Sequence, residues 1–161
     1  MLQLTPEQVR EYLQRVYQAA DGLWFLKVEE KYDFETALDI DNEVWKVLPR
    51  IQARTLKTMG GLKDGPEAFR ECIETRLMLD DYRFKIITND RGAFDVVITE
   101  CPWHNAMMKS GRAHLSSNVG RKICTTEYEA WIREFKAGLK FTFITRLCEG
   151  QPECVISFAK A

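Results

Sequence analysis

The sequence predicts an α+β fold in which N-terminal helices pack on an antiparallel four-stranded sheet. Up to about residue 80, apolar residues recur every three or four positions, which is the period of a helix. After that point they alternate with polar residues in two pairs of short segments, which is the pattern of two β-hairpins separated by a helix. No Pro- or Ser-rich linker separates the two halves. We therefore expect one domain, 1–161, with a helical half, 1–80, and a hairpin–helix–hairpin half, 81–161.

The helical half contains clear start and stop signals. Thr5 can cap the first helix, because Pro6 suits its first position and Gln8 completes a capping box. Asp21-Gly22 predicts an interruption of this helix. Asp41 is a candidate cap for a longer helix that Pro49 should bend. Gly65-Pro66 then predicts the start of a last helix that ends near Leu79.

The second half is predicted as two hairpins around one helix. Polar turn residues at 89–92 and 149–152 should connect the strands within each hairpin. Between the hairpins, Pro102 permits a short helix through Met108 that Ser110-Gly111 should end. The aperiodic segment 112–122 then predicts an ordered loop, and Thr125 or Thr126 is the candidate cap of the following helix. The four predicted strands span residues 82–89, 93–100, 139–147 and 153–159.

Composition limits the classes of function. A chain of 161 residues with 45% hydrophobic content is long enough to form a domain with its own core. The net charge of -1 argues against a dedicated nucleic-acid-binding protein, which usually carries a basic excess. Apolar runs fall short of the ~20 residues that span a bilayer, and the start MLQLTPEQVREYL lacks the features of a signal peptide. We therefore expect a soluble cytoplasmic protein that contacts neither nucleic acid nor membrane.

Cysteines are the most informative residues. Five cysteines without a secretion signal indicate reduced thiols that bind metal, act in catalysis or are simply buried. Cys72 lies among Phe69, Ile73 and Leu77 at helical spacing, so we expect it in the core. The other four stand near the ends of predicted strands or helices and could converge on one site: Cys101, Cys124, Cys148 and Cys154.

These four thiols predict a metal site. Thiolates are the ligands of structural zinc and of iron–sulfur clusters, and four of them complete a tetrahedral shell. His104 is an alternative or additional ligand. Cys124 is expected at a helix N-terminus, where the helix dipole favours thiolate. The spacing is not that of a zinc finger, and separately buried thiols are the competing interpretation.

Other residues of the sequence indicate or exclude chemistries besides metal binding. Cys101 or Cys124 could act as a nucleophile with His104 or His114 as base. The motifs of phosphate loops, dinucleotide folds, zinc proteases and serine hydrolases are absent. An acidic run at 29–43 lacks the spacing of a calcium loop and is interpreted as a solvated helix face. Trp24 and Trp45 are expected in the core, although one of them could line a ligand pocket. Trp24 and Trp103 are the candidates for contacts with a cofactor or ligand.

The ending LCEGQPECVISF resembles that of the 4-vinyl reductase type of small-molecule-binding domain and of related L-2-amino-thiazoline-4-carboxylic acid hydrolase-like proteins. The matching positions are Cys148, Gly150, Cys154 and Phe158. The stretch GLWFLKVEEKYDFETALDIDNEVW and the cysteine at Cys101 are similar to an uncharacterised branch of that group. The turn between Cys148 and Cys154 is shorter than the usual ending of that group.

This resemblance implies an α+β ligand-binding fold, often a homodimer, with cysteines near a pocket and in some members a bound metal. The first functional hypothesis is accordingly a small-molecule- or metal-binding domain that holds zinc or an iron–sulfur cluster. The second is a cysteine-dependent hydrolase of a small cyclic amide or thiazoline, with His104 as base. The third is a dimeric scaffold whose cysteines are core residues.

Overall fold

The computed structural model describes residues 2–89 and 93–161. Its contacts divide the chain into two compact units, an N-terminal unit, Met1–Asp41, and a C-terminal unit, Asn42–Ala161. The turn predicted at 89–92 lies outside the described residues except for Asn89. The expectation that 1–161 forms one domain stays a prediction. The fold is α+β, as the change of hydrophobic period indicates.

The N-terminal unit is built on helix α1, Pro6–Lys31. The predicted capping box is confirmed, because Thr5 Oγ1 accepts from the Gln8 amide at 3.3 Å and Gln8 Oε1 accepts from the Thr5 amide at 2.9 Å. The interruption predicted at Asp21-Gly22 is wrong, since α1 continues through it. One glycine costs a helix only about 1 kcal/mol relative to alanine, which is too little to end a long helix.

Helix α2, Phe34–Trp45, begins after a turn in which Asp33 Oδ1 accepts from the Thr36 amide at 2.7 Å. Asp41 lies inside α2, so its prediction as a cap is wrong. Pro49 does not bend a long helix, because it stands in the first turn of a separate helix, α3, Leu48–Gly60. Proline is tolerated there because the first amides of a helix have no intrahelical acceptor.

The rest of the C-terminal unit follows the predicted order. Helix α4, Pro66–Leu79, begins after Gly65. The strands are β1, Arg83–Thr88, β2, Phe94–Glu100, β3, Leu139–Thr145, and β4, Cys154–Lys160. They form one antiparallel sheet in the order β1-β2-β4-β3, which confirms both hairpins and places β2 beside β4 in its middle.

The connection between the hairpins differs from its prediction. The short helix predicted from Pro102 is confirmed as α5, Pro102–Lys109. Over 112–122, however, the chain forms a short 3-10 turn, Ala113–Leu115, and the start of helix α6, Ser116–Glu134, instead of a loop. Thr125 and Thr126 therefore lie inside α6, so their prediction as caps is wrong. The first turns of α6 pack through the small residues Ser116 and Gly120, so they carry little of the apolar periodicity that predicts a helix.

Helices α4 and α6 pack on the sheet, and α3 packs on α4 and α6, around one aromatic core. Phe69 and Phe158 lie at its centre with ring centroids 5.3 Å apart, and Trp131 stacks on Phe135 at 5.9 Å. Burial of each such side chain stabilises the fold by roughly 1.5–3 kcal/mol. Cys72 is buried in this core, as predicted.

Candidate functional site

The four remaining cysteines come from four different elements. Cys101 is the N-cap residue of α5, directly after β2, and Cys124 lies in the middle of α6. Cys148 sits in the 3-10 turn Leu147–Glu149 that follows β3, and Cys154 is the first residue of β4. Cys154 pairs with Ile98 of β2, so the chain that leaves β2 towards Cys101 departs from the same end of the sheet.

The structure brings these four thiols together. Burial is the main cause that raises the pKa of each one, to about 11 for Cys154. In addition, a negative charge on one member of every pair among the four raises the pKa of the other. Such coupling falls off with distance. Each of the four sulfurs therefore lies within electrostatic range of the other three, and the protonated forms of the thiols are favoured at neutral pH.

Cys101 has the most anion-stabilising surroundings of the four thiols. Burial raises its pKa, but the backbone amide of His104, the hydroxyl of Tyr82, the amide of Trp103 and the charge of Arg76 all act in the opposite direction. The two amides belong to the first turn of α5, where helical N–H groups have no intrahelical acceptor. A thiolate that forms at this site would be best supported at Cys101.

Cys124 does not occupy a helix N-terminus, so that prediction is wrong. α6 begins at Ser116, which leaves Cys124 in the helix interior beyond the reach of the positive end of the dipole. Burial raises its pKa well above the usual value, and the charge of Glu127 adds to this effect. Its thiol is neutral at physiological pH.

Cys148 packs directly on the backbone of α6. A Cβ atom added at Gly120 would lie 2.7 Å from Cys148 Sγ, closer than real side chains come. Arg146 Nη1 donates to the Gly120 carbonyl oxygen at 3.2 Å, and its guanidinium lies 3.4 Å from the centre of the Phe143 ring. Glycine at position 120 therefore permits the turn with Cys148 to reach the other thiols.

A buried charge cluster adjoins the thiols. Arg76 Nη2 lies 2.6 Å from Glu127 Oε1, and Arg76 Nε lies 2.9 Å from Asp80 Oδ2. Burial raises the pKa of Glu127, while Arg76 opposes that rise. Tyr82 joins this cluster to the site, since its ring lies 5.0 Å from the Arg76 guanidinium and its hydroxyl interacts with Cys101.

Sequence reasoning missed this cluster. The charge cluster could have been predicted from the position of Arg76, which falls on the buried face of α4 with Ile73 and Leu77. A buried arginine is rare unless it is paired, so its position on that face calls for an acidic partner.

The two histidines have different environments. His104 Nδ1 is 2.8 Å from the hydroxyl oxygen of the buried Ser116. Burial lowers the pKa of His104, which therefore stays neutral at pH 7. His114 is exposed in the 3-10 turn. His104 is near the thiol cluster in sequence, but its ring is oriented by a serine.

The two tryptophans that were candidates for cofactor contacts, Trp24 and Trp103, also have different environments. Trp103 packs edge-to-face on Trp45, with ring centroids 6.1 Å apart, and Trp45 is buried as expected. Trp24 belongs to the N-terminal unit and is 74% exposed, so the expectation that it is a core residue is wrong. A role for Trp24 or Trp103 in binding a cofactor stays a prediction.

The thiols are neighbours, but they do not form a coordination shell. Over residues 2–89 and 93–161, no group of three or more His, Cys, Asp or Glu side chains is arranged to hold a metal ion. The donor types nevertheless suit zinc or iron, which are commonly ligated by cysteine sulfur. None of the helices in this part of the chain is long and apolar enough to cross a membrane.

Comparison with known proteins gives a family but no activity. No curated protein and no solved structure matches the chain. The resemblance to the 4-vinyl reductase type of domain stays a prediction. A family model does match residues 5–155, a stretch that contains all four clustered cysteines. The chain belongs to DUF6125, a family of unknown function.

Proposed function

We propose that the C-terminal unit binds a soft metal ion, zinc or iron in a sulfur-ligated centre, through Cys101, Cys124, Cys148 and Cys154. The observation that carries this proposal is the mutual proximity of four thiols from four separate elements, in which a charge on any one is felt by each of the others.

The electrostatics of the cluster suit a cation. Burial and mutual repulsion oppose a set of four thiolates, because each added negative charge is costly in a poorly solvated site. A divalent cation supplies the opposite charge and is bound only as the thiols lose their protons. Binding should therefore release protons and should weaken as the pH falls.

The surroundings support this role at individual sulfurs. Tyr82 and the first amides of α5 stabilise negative charge at Cys101, and Arg146 does so at Cys148. Such outer contacts orient metal ligands and tune their basicity in known metal sites. The observed side-chain positions do not form a coordination shell, so metal binding requires that side chains rearrange. A metal that binds the folded state should also raise the free energy of unfolding.

The test is elemental analysis together with an ultraviolet–visible spectrum of protein purified without oxygen or chelator. We expect stoichiometric zinc, or iron with a sulfur-to-iron absorption band. Each single Cys→Ser change at positions 101, 124, 148 and 154 should reduce metal content at least tenfold, the lower end of the range for disturbed metal sites. Cys72→Ala is the matched control and should retain the metal, because Cys72 lies in the core.

Metal-free protein that also fails to bind added zinc would contradict the proposal. So would four serine variants that all keep the metal. In that case alkylation at neutral pH distinguishes the other hypotheses. One rapidly alkylated thiol, slowed by His104→Ala, would support the hydrolase of a small cyclic amide or thiazoline, and uniformly slow thiols would support a scaffold.

A further inference from the structure

Three of the four clustered thiols lie at one end of the sheet. Cys101 follows the last residue of β2, and Cys154 begins β4 opposite Ile98 of β2. Cys148 lies in the turn between β3 and β4, which pair with each other. We call Cys101, Cys148 and Cys154 the sheet-end thiols. Because strand pairing fixes this end of the sheet, the backbone already holds the sheet-end thiols together without a metal.

Backbone amides are directed at the sulfurs of the sheet-end thiols. Two amides in the first turn of α5 hydrogen-bond to the sulfur of Cys101, and the Leu147 amide does so at Cys154. The sulfur of Cys148 interacts with its own amide. A metal-bound sulfur carries negative charge, so an N–H group aimed at it both strengthens and orients the ligand. The sheet-end thiols thus have the support that firm metal ligands need.

Cys124 has a different environment, because it lies in the interior of α6. The amides of the turn that follows it donate to carbonyl oxygens four residues earlier, so they are used by the helix itself. Burial and the negative charge of Glu127, one turn further along α6, both oppose a negative charge on the Cys124 sulfur. The charge of Arg76 favours an anion at Cys101, whereas Glu127 is the residue that faces Cys124.

We propose that the three sheet-end thiols hold the metal ion firmly and that Cys124 is an exchangeable fourth ligand, whose place a water molecule or a small thiol can take. This inference rests on the proposed metal-binding function and refines its class. A structural zinc site has four protein ligands, whereas a site that works on a further ligand keeps one position open to it. A soft metal with three sulfur ligands should favour sulfur in that position as well.

The exchange conserves protons and ligands. The bond between the metal and the Cys124 sulfur breaks, and the thiolate that leaves takes up a proton. When water replaces it, that proton comes from solvent, and the water oxygen binds the metal. When a small thiol replaces it, the incoming sulfur binds as thiolate and its proton passes to Cys124. No oxidant or reductant takes part.

The experiment uses cobalt(II) as the probe, with the full chain and its single Cys→Ala variants. We expect the wild-type protein to bind a single cobalt ion with the absorption of four sulfur ligands. Cys124→Ala should still bind a single ion, about tenfold more weakly, and variants of the sheet-end thiols should lose at least about 100-fold in affinity. The sulfur-to-cobalt absorption of Cys124→Ala should be about three quarters of the wild-type value, because three of four sulfurs remain.

Added 2-mercaptoethanol should restore the wild-type absorption of cobalt-loaded Cys124→Ala, since its sulfur occupies the open position. Cys72→Ala is the matched control and should behave as wild type, because Cys72 lies in the core. Circular dichroism should show that all variants keep wild-type helix content.

Two outcomes would overturn this inference and leave the proposed function standing. In the first, Cys124→Ala loses as much cobalt affinity as the variants of the sheet-end thiols. In the second, 2-mercaptoethanol leaves the spectrum of Cys124→Ala unchanged. Wild-type protein that binds no cobalt and no zinc would overturn both proposals.

Discussion

Cys148 Sγ lies so close to the backbone of Gly120 that no other residue type fits at position 120 without displacing the thiol. The contact joins the turn after β3 to α6, the helix that carries Cys124. Gly120 has no side chain, and this permits Cys148 to approach α6 and Cys124. The thiol cluster therefore depends on a residue that does not itself bind a ligand.

Gly120→Ala should therefore move Cys148 away from the other thiols. We expect at least a tenfold loss of metal affinity, measured by competition with a chromophoric chelator. Gly22→Ala is the control, because nothing lies within 4 Å of a Cβ atom there. It should leave metal binding unchanged and stabilise the fold by about 1 kcal/mol through helix propensity. Equal metal affinities for the two variants would contradict the role of Gly120.

Tyr82→Phe should make Cys101 less reactive. The Tyr82 hydroxyl lowers the pKa of Cys101, so its removal raises that pKa and reduces the thiolate fraction. We expect alkylation of metal-free protein at Cys101 to slow about tenfold at pH 8, because a hydrogen bond to a charged group stabilises it by about 1.5 kcal/mol or more. Peptide mapping by mass spectrometry gives the rate. Tyr32→Phe, at an exposed position, should leave the rate unchanged.

Glu127→Gln should have two separate effects. It removes one partner of the buried Arg76 ion pair, which should lower the free energy of unfolding by about 3 kcal/mol, as measured in urea. It also removes a charge that raises the pKa of Cys124, so Cys124 should be alkylated faster in the folded, metal-free protein. Glu129→Gln, on the exposed side of the same helix, should produce neither effect. A destabilised variant with unchanged Cys124 reactivity would contradict the link between the charge cluster and the thiols.

Asp21→Asn should remove a pH dependence of stability. Burial raises the pKa of Asp21 from 3.8 to about 6, so the folded state holds the proton more tightly than the unfolded state does. The contribution of Asp21 to the free energy of unfolding is fully present below about pH 3.8, where the carboxyl is protonated in both states. This contribution is lost as the pH rises through about 6, where the carboxyl ionises in the folded state. At pH 7 the ionised carboxylate thus costs at most about 3 kcal/mol, before any reduction for its partial solvation.

The measurement for Asp21 is urea unfolding at several pH values between 4 and 8, compared between wild type and Asp21→Asn. The variant should be the more stable protein at pH 7, and its stability should change less across this range. Asp39→Asn, at an exposed position of α2, is the control and should follow the wild-type curve. Identical curves for wild type and Asp21→Asn would show that Asp21 is well solvated.

Much of the fold was predictable because it is encoded locally. Thr5 and Gln8 define a helix start by hydrogen bonds between near neighbours, and alternation over 94–100 and 139–145 indicates strands without knowledge of their partners. The errors arose where packing overrides local preference. Gly22 is carried within a long helix, and the start of α6 has small residues because other elements approach it closely.

The sequence by itself determined which side chains could form a site: the thiols of Cys101, Cys124, Cys148 and Cys154, all in its second half. Only the tertiary structure decided that the four thiols interact electrostatically with one another, and that Tyr82 and the Arg76–Glu127 pair adjoin them. The physical reason is that spacing along the chain specifies a face or an end of one element. Proximity between elements depends instead on strand order, on the angle of helix packing and on where a small residue permits close approach.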